Sequence, residues 1–125
     1  DYMAAAYAGI TEMIGENDRS PSQVSMAVGD SATGISAAMA VVVALLHRER
    51  TGEGQFIDCS LLDTYLQMHE DYIPRVGLRG DAASPERSGS QHPNGGPTGI
   101  FECGDGSFLQ MRVEMYKSRL VEKFR

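Results

Sequence analysis

An aspartate that directly precedes a long apolar segment is the residue best placed to do chemistry in this sequence. Asp30 lies in the run GDSATG at residues 29–34, and the segment after it has the composition of a helix. The first turn of a helix has unpaired N–H groups and a partial positive charge, which keep a nearby carboxylate ionised. An ionised carboxylate can attack a thioester and form a covalent intermediate. Aspartate is also a favoured N-cap, so a purely structural role for Asp30 stays open.

Other ionisable residues have simpler interpretations. Asp58 and Asp63 flank a predicted strand-to-helix turn, where paired acid and base chemistry competes with capping or a salt bridge. His69 and His92 have no companions at metal-ligand spacing, so no metal site is predicted.

Composition excludes several classes of function. The net charge of −6 argues against nucleic-acid binding, which needs clustered lysine and arginine. The longest apolar run, residues 35–46, is shorter than the roughly 20 residues that a membrane-spanning helix needs. Cys59 and Cys103 lie far apart in apolar runs, so both are predicted to be buried free thiols, which favours a reducing cytosol.

The elements that must position Asp30 follow one another as helix, turn, strand and helix, which is typical of an α/β protein. Apolar spacing predicts a first helix over residues 1–14 and a second over 30–50. The second is apolar all round, so we expect it to be buried. Residues 55–59 are a short strand candidate, and Ser60 is a predicted N-cap for a helix over 61–72.

The pattern changes after this α/β portion. Residues 74–97 contain four of the five prolines and little apolar periodicity, which indicates a linker or long loop. A β-hairpin is predicted next, with strands over 98–103 and 108–112 around a turn that contains Asp105-Gly106. The last ten residues begin another predicted helix.

With these segments in place, the sequence resembles the class III coenzyme A transferases, the CaiB/BaiF family that includes formyl-CoA and carnitine-CoA transferases. The matching runs are GDSATG at residues 29–34, ALLHRERTGEGQ at 44–55 and DCSLLD at 58–63. Their order and spacing agree throughout, and weaker similarity extends over nearly the whole chain.

The resemblance implies a mechanism and a set of site residues. The family's catalytic aspartate falls on Asp30, which would pass through an acyl-aspartyl anhydride and an aspartyl-CoA thioester. Acyl-CoA and a carboxylic acid are the implied substrates, and no prosthetic group is implied. The substrate-binding positions would be Gly29, Leu61, Gly95 and Gly96. The last two match only part of the family's glycine-rich loop, which is longer in formyl-CoA transferases.

The resemblance also implies an architecture. Residues 1–73 would belong to a Rossmann-like large domain, 74–97 to a linker with the glycine loop, and 98–125 to the start of a small α+β domain. Family members form interlocked homodimers, and we expect a cytoplasmic protein. Both ends of the sequence lie in helical patterns without start or stop signals. We therefore expect an internal fragment that is inactive alone.

Two alternatives remain. The racemase branch of the same family, which resembles the α-methylacyl-CoA racemases, uses the equivalent aspartate with an upstream histidine to move an α-proton. That histidine would fall immediately before Asp1, and the residues after Asp1 depart from the racemase pattern. The alternative from another class is a non-catalytic interaction fragment in which Asp30 is only a helix cap.

Overall fold

A computed structural model describes residues 1–69, 72–80, 86–93 and 97–113 of the chain. Its elements are helices α1 (Tyr2–Tyr7), α2 (Val28–Thr51), α3 (Leu61–Met68) and α4 (Tyr72–Arg79), then strands β1 (Gly99–Glu102) and β2 (Phe108–Met111). The combination of helices with one small sheet is consistent with the predicted α/β class.

The chain divides into two compact units. The first comprises residues 1–11 and 23–84 and contains the four helices, whereas the second comprises residues 12–22 and 85–125 and contains the hairpin. In the second unit, Arg87 pairs with the carboxylate of Glu12 and donates a 3.1 Å hydrogen bond to the Glu16 carbonyl oxygen. These contacts join its two sequence segments. The predicted domain limits at residues 73 and 97 stay a prediction.

The first predicted helix is shorter in the structure. Helix α1 ends at Tyr7, and Gly9 follows with a positive φ of 81°. A left-handed residue cannot continue a right-handed helix, so the chain turns at Gly9. One 3₁₀ turn over Thr11–Met13 is all that remains of the predicted second half.

Helix α2 confirms the strongest helix prediction but not its predicted burial. It runs for 24 residues and ends at Gly52, which adopts the left-handed C-cap conformation with φ 79°. Its side chains are largely exposed, with Ile35 and Met39 both at 67%. Burying a helix that is apolar all round requires packing on several sides. Among the described elements, α3 makes its main contact.

By length and composition, α2 is also the one described helix that qualifies as a membrane span. Core helices of soluble proteins pass the same test. Its first turn carries Asp30, and its last carries Arg48 and Arg50.

The strand expected over residues 55–59 is wrong, because these residues are in neither helix nor strand. A strand needs a hydrogen-bonding neighbour, and no described residue provides one here. Cys59 in this segment is exposed rather than buried, and its thiol lies 3.8 Å from the Thr33 carbonyl oxygen. Cys103 is half-buried. Both cysteines are free thiols, as predicted.

Helix α3 begins where the sequence predicts. The Ser60 hydroxyl accepts a 3.0 Å hydrogen bond from the Asp63 N–H, so Ser60 is the N-cap. A relay of hydroxyls joins α3 to α2, because Thr33 Oγ1 donates to Thr64 Oγ1 at 3.0 Å and Thr64 Oγ1 donates to the Ser60 carbonyl oxygen at 3.0 Å. The relay fixes α3 beside the first turns of α2.

The predicted linker over residues 74–97 begins inside helix α4. Pro74 is the third residue of that helix. It is tolerated there because the first N–H groups of a helix have no partner within the helix. The interpretation of proline as a sign of loop structure was therefore wrong for residues 74–79.

The hairpin is confirmed. Strands β1 and β2 pair antiparallel, with Gly99 opposite Met111 and Glu102 opposite Phe108. The turn closes through a 2.8 Å bond from the Cys103 N–H to the Ser107 carbonyl oxygen, and Gly106 has a φ of 80°. The helix predicted for the last ten residues lies outside the described residues.

Candidate active site

Asp30 lies in the first turn of α2 but does not cap it. The helix begins at Val28 with Ala27 as its N-cap, so Asp30 is its third residue. Its side chain is 56% exposed, and no described residue donates a hydrogen bond to its carboxylate. The capping role that the sequence left open for Asp30 is therefore wrong, and its carboxylate is exposed.

The cap of α2 comes instead from the carboxylate of Asp1. Asp1 Oδ2 accepts hydrogen bonds from the Gly29 N–H at 3.1 Å and from the Asp30 N–H at 3.3 Å. Ala27 has no side-chain acceptor, which leaves these N–H groups to a partner elsewhere in the chain. Only 7% of the Asp1 side chain is exposed. A buried anion thus sits at the positive end of α2.

Tyr65 completes this cluster from α3. Its hydroxyl donates a hydrogen bond to Asp1 Oδ1. The same hydroxyl oxygen accepts a hydrogen bond from the Gly29 N–H at 3.2 Å. The Gly29 N–H is therefore shared between the Asp1 carboxylate and the Tyr65 oxygen. Tyr65 is 5% exposed and is the one buried apolar side chain in the described part of the chain. We call Asp1, Gly29 and Tyr65 the α2 clamp.

The structure brings together two of the five predicted site residues. Gly29 and Asp30 are neighbours in the first turn of α2, and the N–H of Gly29 is engaged by the clamp. Leu61 is the half-buried first residue of α3, four positions before Tyr65. Gly95 and Gly96 lie outside the described residues. Binding of substrate by these four positions stays a prediction.

Two of the remaining candidates, Asp63 and His69, have structural partners. Asp63 accepts a 2.7 Å hydrogen bond from the Ser60 hydroxyl at the start of α3. Asp58 lines an open, mainly apolar groove with Phe56 and α2 side chains, and Asp30 is not part of that groove. His69 is buried and donates from Nε2 to the Ala8 carbonyl oxygen at 2.6 Å. No metal-binding group of histidine, cysteine and acidic residues occurs within the described ranges.

Sequence reasoning missed Asp1 and Tyr65. They are 64 positions apart, and neither belongs to a local motif. One signal was present: a helix that begins after Ala27 has no side-chain acceptor of its own, so an outside acceptor was needed. That signal required a helix start at residue 28, two residues before the predicted one.

Comparison with known proteins identifies the family. The sequence profile of CoA-transferase family III matches residues 1–125. The chain belongs to this family. The resemblance carried by residues 29–34, 44–55 and 58–63 is thereby confirmed, and with it the assignment to a family of transferases that act on coenzyme A esters.

Several relatives are named for particular acids. The chain is similar to succinyl-CoA:mesaconate CoA-transferase of Haloarcula hispanica, with 37% identity over 85% of this chain and 26% of the relative. It is 36% identical to succinyl-CoA–D-citramalate CoA-transferase of Chloroflexus aurantiacus, over 83% of this chain and 25% of the relative. Succinyl-CoA:glutarate CoA-transferase of Mus musculus is 34% identical, over 85% of this chain and 24% of the relative.

A solved structure supports the same conclusion. A CaiB/BaiF family protein from Brucella suis matches with a TM-score of 0.74 and 34% identity, over 86% of this chain and 28% of that one. The chain spans about a quarter of the length of the curated relatives that it matches.

Proposed function

We propose that this chain carries the nucleophile of an acyl-CoA:carboxylate CoA-transferase, and that Asp30 is that nucleophile. The observation that supports the proposal is the separation of roles in the first turn of α2. The Asp1 carboxylate accepts the hydrogen bonds from the N–H groups of Gly29 and Asp30 in that turn. The Asp30 carboxylate, in contrast, is exposed and accepts no hydrogen bond from a described residue. A carboxylate whose lone pairs are not used in capping is available to attack an acyl group.

The first half-reaction converts Asp30 into its CoA thioester. An Asp30 carboxylate oxygen attacks the thioester carbonyl of the donor, the C–S bond breaks, and CoA leaves as its thiolate. The product is a mixed anhydride between the donor acyl group and Asp30. The thiolate then attacks the Asp30 carbonyl carbon, which releases the donor as a carboxylate and leaves CoA on Asp30.

The second half-reaction runs these steps in reverse with another acid. The acceptor carboxylate attacks the aspartyl thioester, and the thiolate that leaves attacks the acceptor carbonyl of the new anhydride. Asp30 is regenerated as a carboxylate and the acceptor leaves as an acyl-CoA. Each anhydride would be lost to hydrolysis in an open site, so water must be excluded while it exists. Covering the intermediates is the role we propose for Gly95 and Gly96.

Succinyl-CoA is the donor that we propose to test first, because three of the similar transferases are named for it. Their other named acids, mesaconate, D-citramalate and glutarate, make dicarboxylates the first acceptors to test. The same names favour transfer over racemisation, and so does the departure of residues 1–4 from the racemase pattern. We keep the Rossmann-like large domain, the interlocked homodimer and the cytoplasmic location as parts of the proposal.

Substitution of Asp30 in the complete gene product tests the function. With succinyl-CoA and a panel of dicarboxylates, Asp30→Asn removes the nucleophilic oxygen and should lower kcat roughly a thousandfold or more. The matched control is Asp18→Asn, which changes an exposed aspartate in the other unit. If Asp30→Asn folds and keeps activity within about tenfold of the wild type, the proposed nucleophile is wrong and a non-catalytic role gains support.

Trapping the intermediate is an independent test. After incubation with succinyl-CoA, hydroxylamine should convert Asp30 to a hydroxamate, and borohydride should reduce its thioester to an alcohol. Peptide mass spectrometry locates either product. Wild-type protein that turns over while its Asp30 peptide stays unmodified would count against covalent catalysis at this residue, as would exchange of an α-proton without transfer of CoA.

A further inference from the structure

We propose that Tyr65 is a positioning residue for Asp30, acting through the α2 clamp. The proposal rests on the proposed role of Asp30 as nucleophile. Tyr65 makes no hydrogen bond to the Asp30 side chain, and its hydroxyl instead lies between the Asp1 carboxylate and the N–H of Gly29. It therefore reaches the backbone of the turn that presents Asp30.

The Tyr65 hydroxyl serves both neighbours at once. A phenolic hydroxyl has one proton to give and lone pairs that accept, so it can donate to Asp1 Oδ1 while it accepts from Gly29. Asp1 Oδ2 in turn accepts from the N–H groups of Gly29 and Asp30, at 3.1 and 3.3 Å. The path from the Tyr65 hydroxyl to the Asp30 backbone therefore has two hydrogen bonds and one intervening carboxylate.

Burial makes this arrangement specific. The Asp1 side chain is 7% exposed, and a buried carboxylate is costly unless donors satisfy its oxygens. Oδ1 has Tyr65 as its hydroxyl donor, while Oδ2 has the two backbone donors. Without the hydroxyl, Oδ1 loses that donor and Asp1 is free to rotate away from the helix. The Asp30 N–H then loses its acceptor.

The ring of Tyr65 also sets the position of the turn. It packs directly on Gly29, where an added Cβ would lie 2.5 Å from the ring carbon Cζ and 2.8 Å from the hydroxyl oxygen. The residue next to the nucleophile is thus held by contact and by hydrogen bonding. A misplacement of about 1 Å at a reacting group can lower the rate roughly a hundredfold, so loss of the clamp should be visible in catalysis.

A purely structural role for Tyr65 makes a different prediction. In that case its loss would reduce the yield or thermal stability of the protein, and the molecules that fold would turn over normally. A positioning role lowers kcat of the folded protein. It also leaves KM for acyl-CoA largely unchanged, because Tyr65 is buried and does not offer a surface to the substrate.

The test uses Tyr65→Phe in the complete gene product, with kcat normalised to folded protein recovered from gel filtration. This variant keeps the ring and removes the hydroxyl. We expect kcat to fall about tenfold or more with KM for succinyl-CoA within about twofold, and borohydride trapping at Asp30 to slow in parallel. Tyr7→Phe, at an 85% exposed tyrosine of the same unit, is the matched control and should match the wild type.

The outcomes separate the two proposals. If Asp30→Asn is inactive but Tyr65→Phe turns over within about twofold of the wild type, the positioning role is wrong and the nucleophile stands. If Asp30→Asn remains active, the proposed function fails by itself. Should Tyr65→Phe not fold, Asp1→Asn is the second variant: it keeps the side-chain shape but replaces one acceptor oxygen with an NH₂ group. Normal kcat in folded Asp1→Asn would overturn the proposal in the same way.

Discussion

Gly29 donates its N–H to the Tyr65 hydroxyl at 3.2 Å, and the same glycine has no room for a side chain beneath the Tyr65 ring. The two residues are 36 positions apart and belong to different helices, α2 and α3. Close approach of a ring to a helix backbone requires a residue without a Cβ. Gly29 is therefore needed for packing at the turn that carries Asp30, whatever its part in binding substrate.

Replacing Gly29 with alanine should destabilise the protein. The new methyl group would overlap the Tyr65 ring, and overpacking of this kind costs about 1–3 kcal/mol in the free energy of unfolding. Gly34→Ala, in the same helix, is the matched control because nothing lies within 4 Å of its Cβ position. It should stabilise the helix by about 0.5–1 kcal/mol. Denaturant unfolding measures both changes. If the two variants have the same free energy of unfolding, or if Gly29→Ala is more stable than the wild type, the packing of the Tyr65 ring on Gly29 is contradicted.

The end of α2 permits a second comparison of glycines. Gly52 has a φ of 79° and its N–H bonds to the Arg48 carbonyl oxygen at 2.8 Å, so it is a left-handed C-cap. Alanine in this conformation costs about 1 kcal/mol. Gly52→Ala should therefore lower the free energy of unfolding by about that amount, whereas Gly54→Ala should not, since Gly54 lacks a left-handed φ and has open space around it. Equal stability of the two variants would argue against the cap.

Ser60 offers a test of how α3 is held. Its hydroxyl accepts a hydrogen bond from the Asp63 N–H at 3.0 Å. Removal of such a cap lowers the free energy of unfolding by about 0.5–2 kcal/mol. Ser60→Ala should show this loss in the free energy of unfolding, while Ser60→Thr keeps the hydroxyl and should retain most of the stability. Because α3 carries Tyr65, fraying of its first turn should also lower kcat. A fully active Ser60→Ala variant with unchanged stability would show that α3 does not depend on this cap.

The features predicted correctly from sequence are those with local causes. Ser60 caps α3 through a residue three positions away, and α2 ends at Thr51, one residue after its predicted end, because Gly52 bonds back into the last turn. The hairpin forms around Asp105-Gly106, where one glycine with positive φ closes the turn. Such signals lie within a few residues of the structure that they determine.

The wrong predictions depend on distant partners. Residues 55–59 have the composition of a strand, but strand formation requires another strand, and none of the described residues pairs with them. The predicted burial of α2 likewise depended on what packs around it. The same reason explains which parts of the candidate site could be predicted. The motif around Asp30 is a continuous run of residues, whereas the Asp1–Tyr65 hydrogen bond joins residues 64 positions apart.

The hairpin turn yields a prediction about pH. Hydrogen bonds to Asp105 from Ser107, first from its hydroxyl at 2.6 Å and then from its N–H at 3.0 Å, hold the pKa of the Asp105 carboxyl below its ordinary value of 3.8. Both bonds favour the charged carboxylate. Their contribution to stability is therefore present above pH 3.8 and is lost as the pH falls through the lowered pKa of the folded protein.

Ser107→Ala removes the hydroxyl and keeps the N–H, so it should raise the pKa of Asp105 toward the ordinary value without restoring it fully. Titration of the Asp105 carboxyl carbon by NMR, in protein labelled at aspartate, measures the shift directly. Ser107→Thr retains a hydroxyl donor and should leave the pKa low, which makes it the matched control. If the pKa of Asp105 is the same in the wild type and in Ser107→Ala, the hydrogen bond from the Ser107 hydroxyl does not lower that pKa. The turn is then stabilised by its backbone hydrogen bonds and by Gly106 instead.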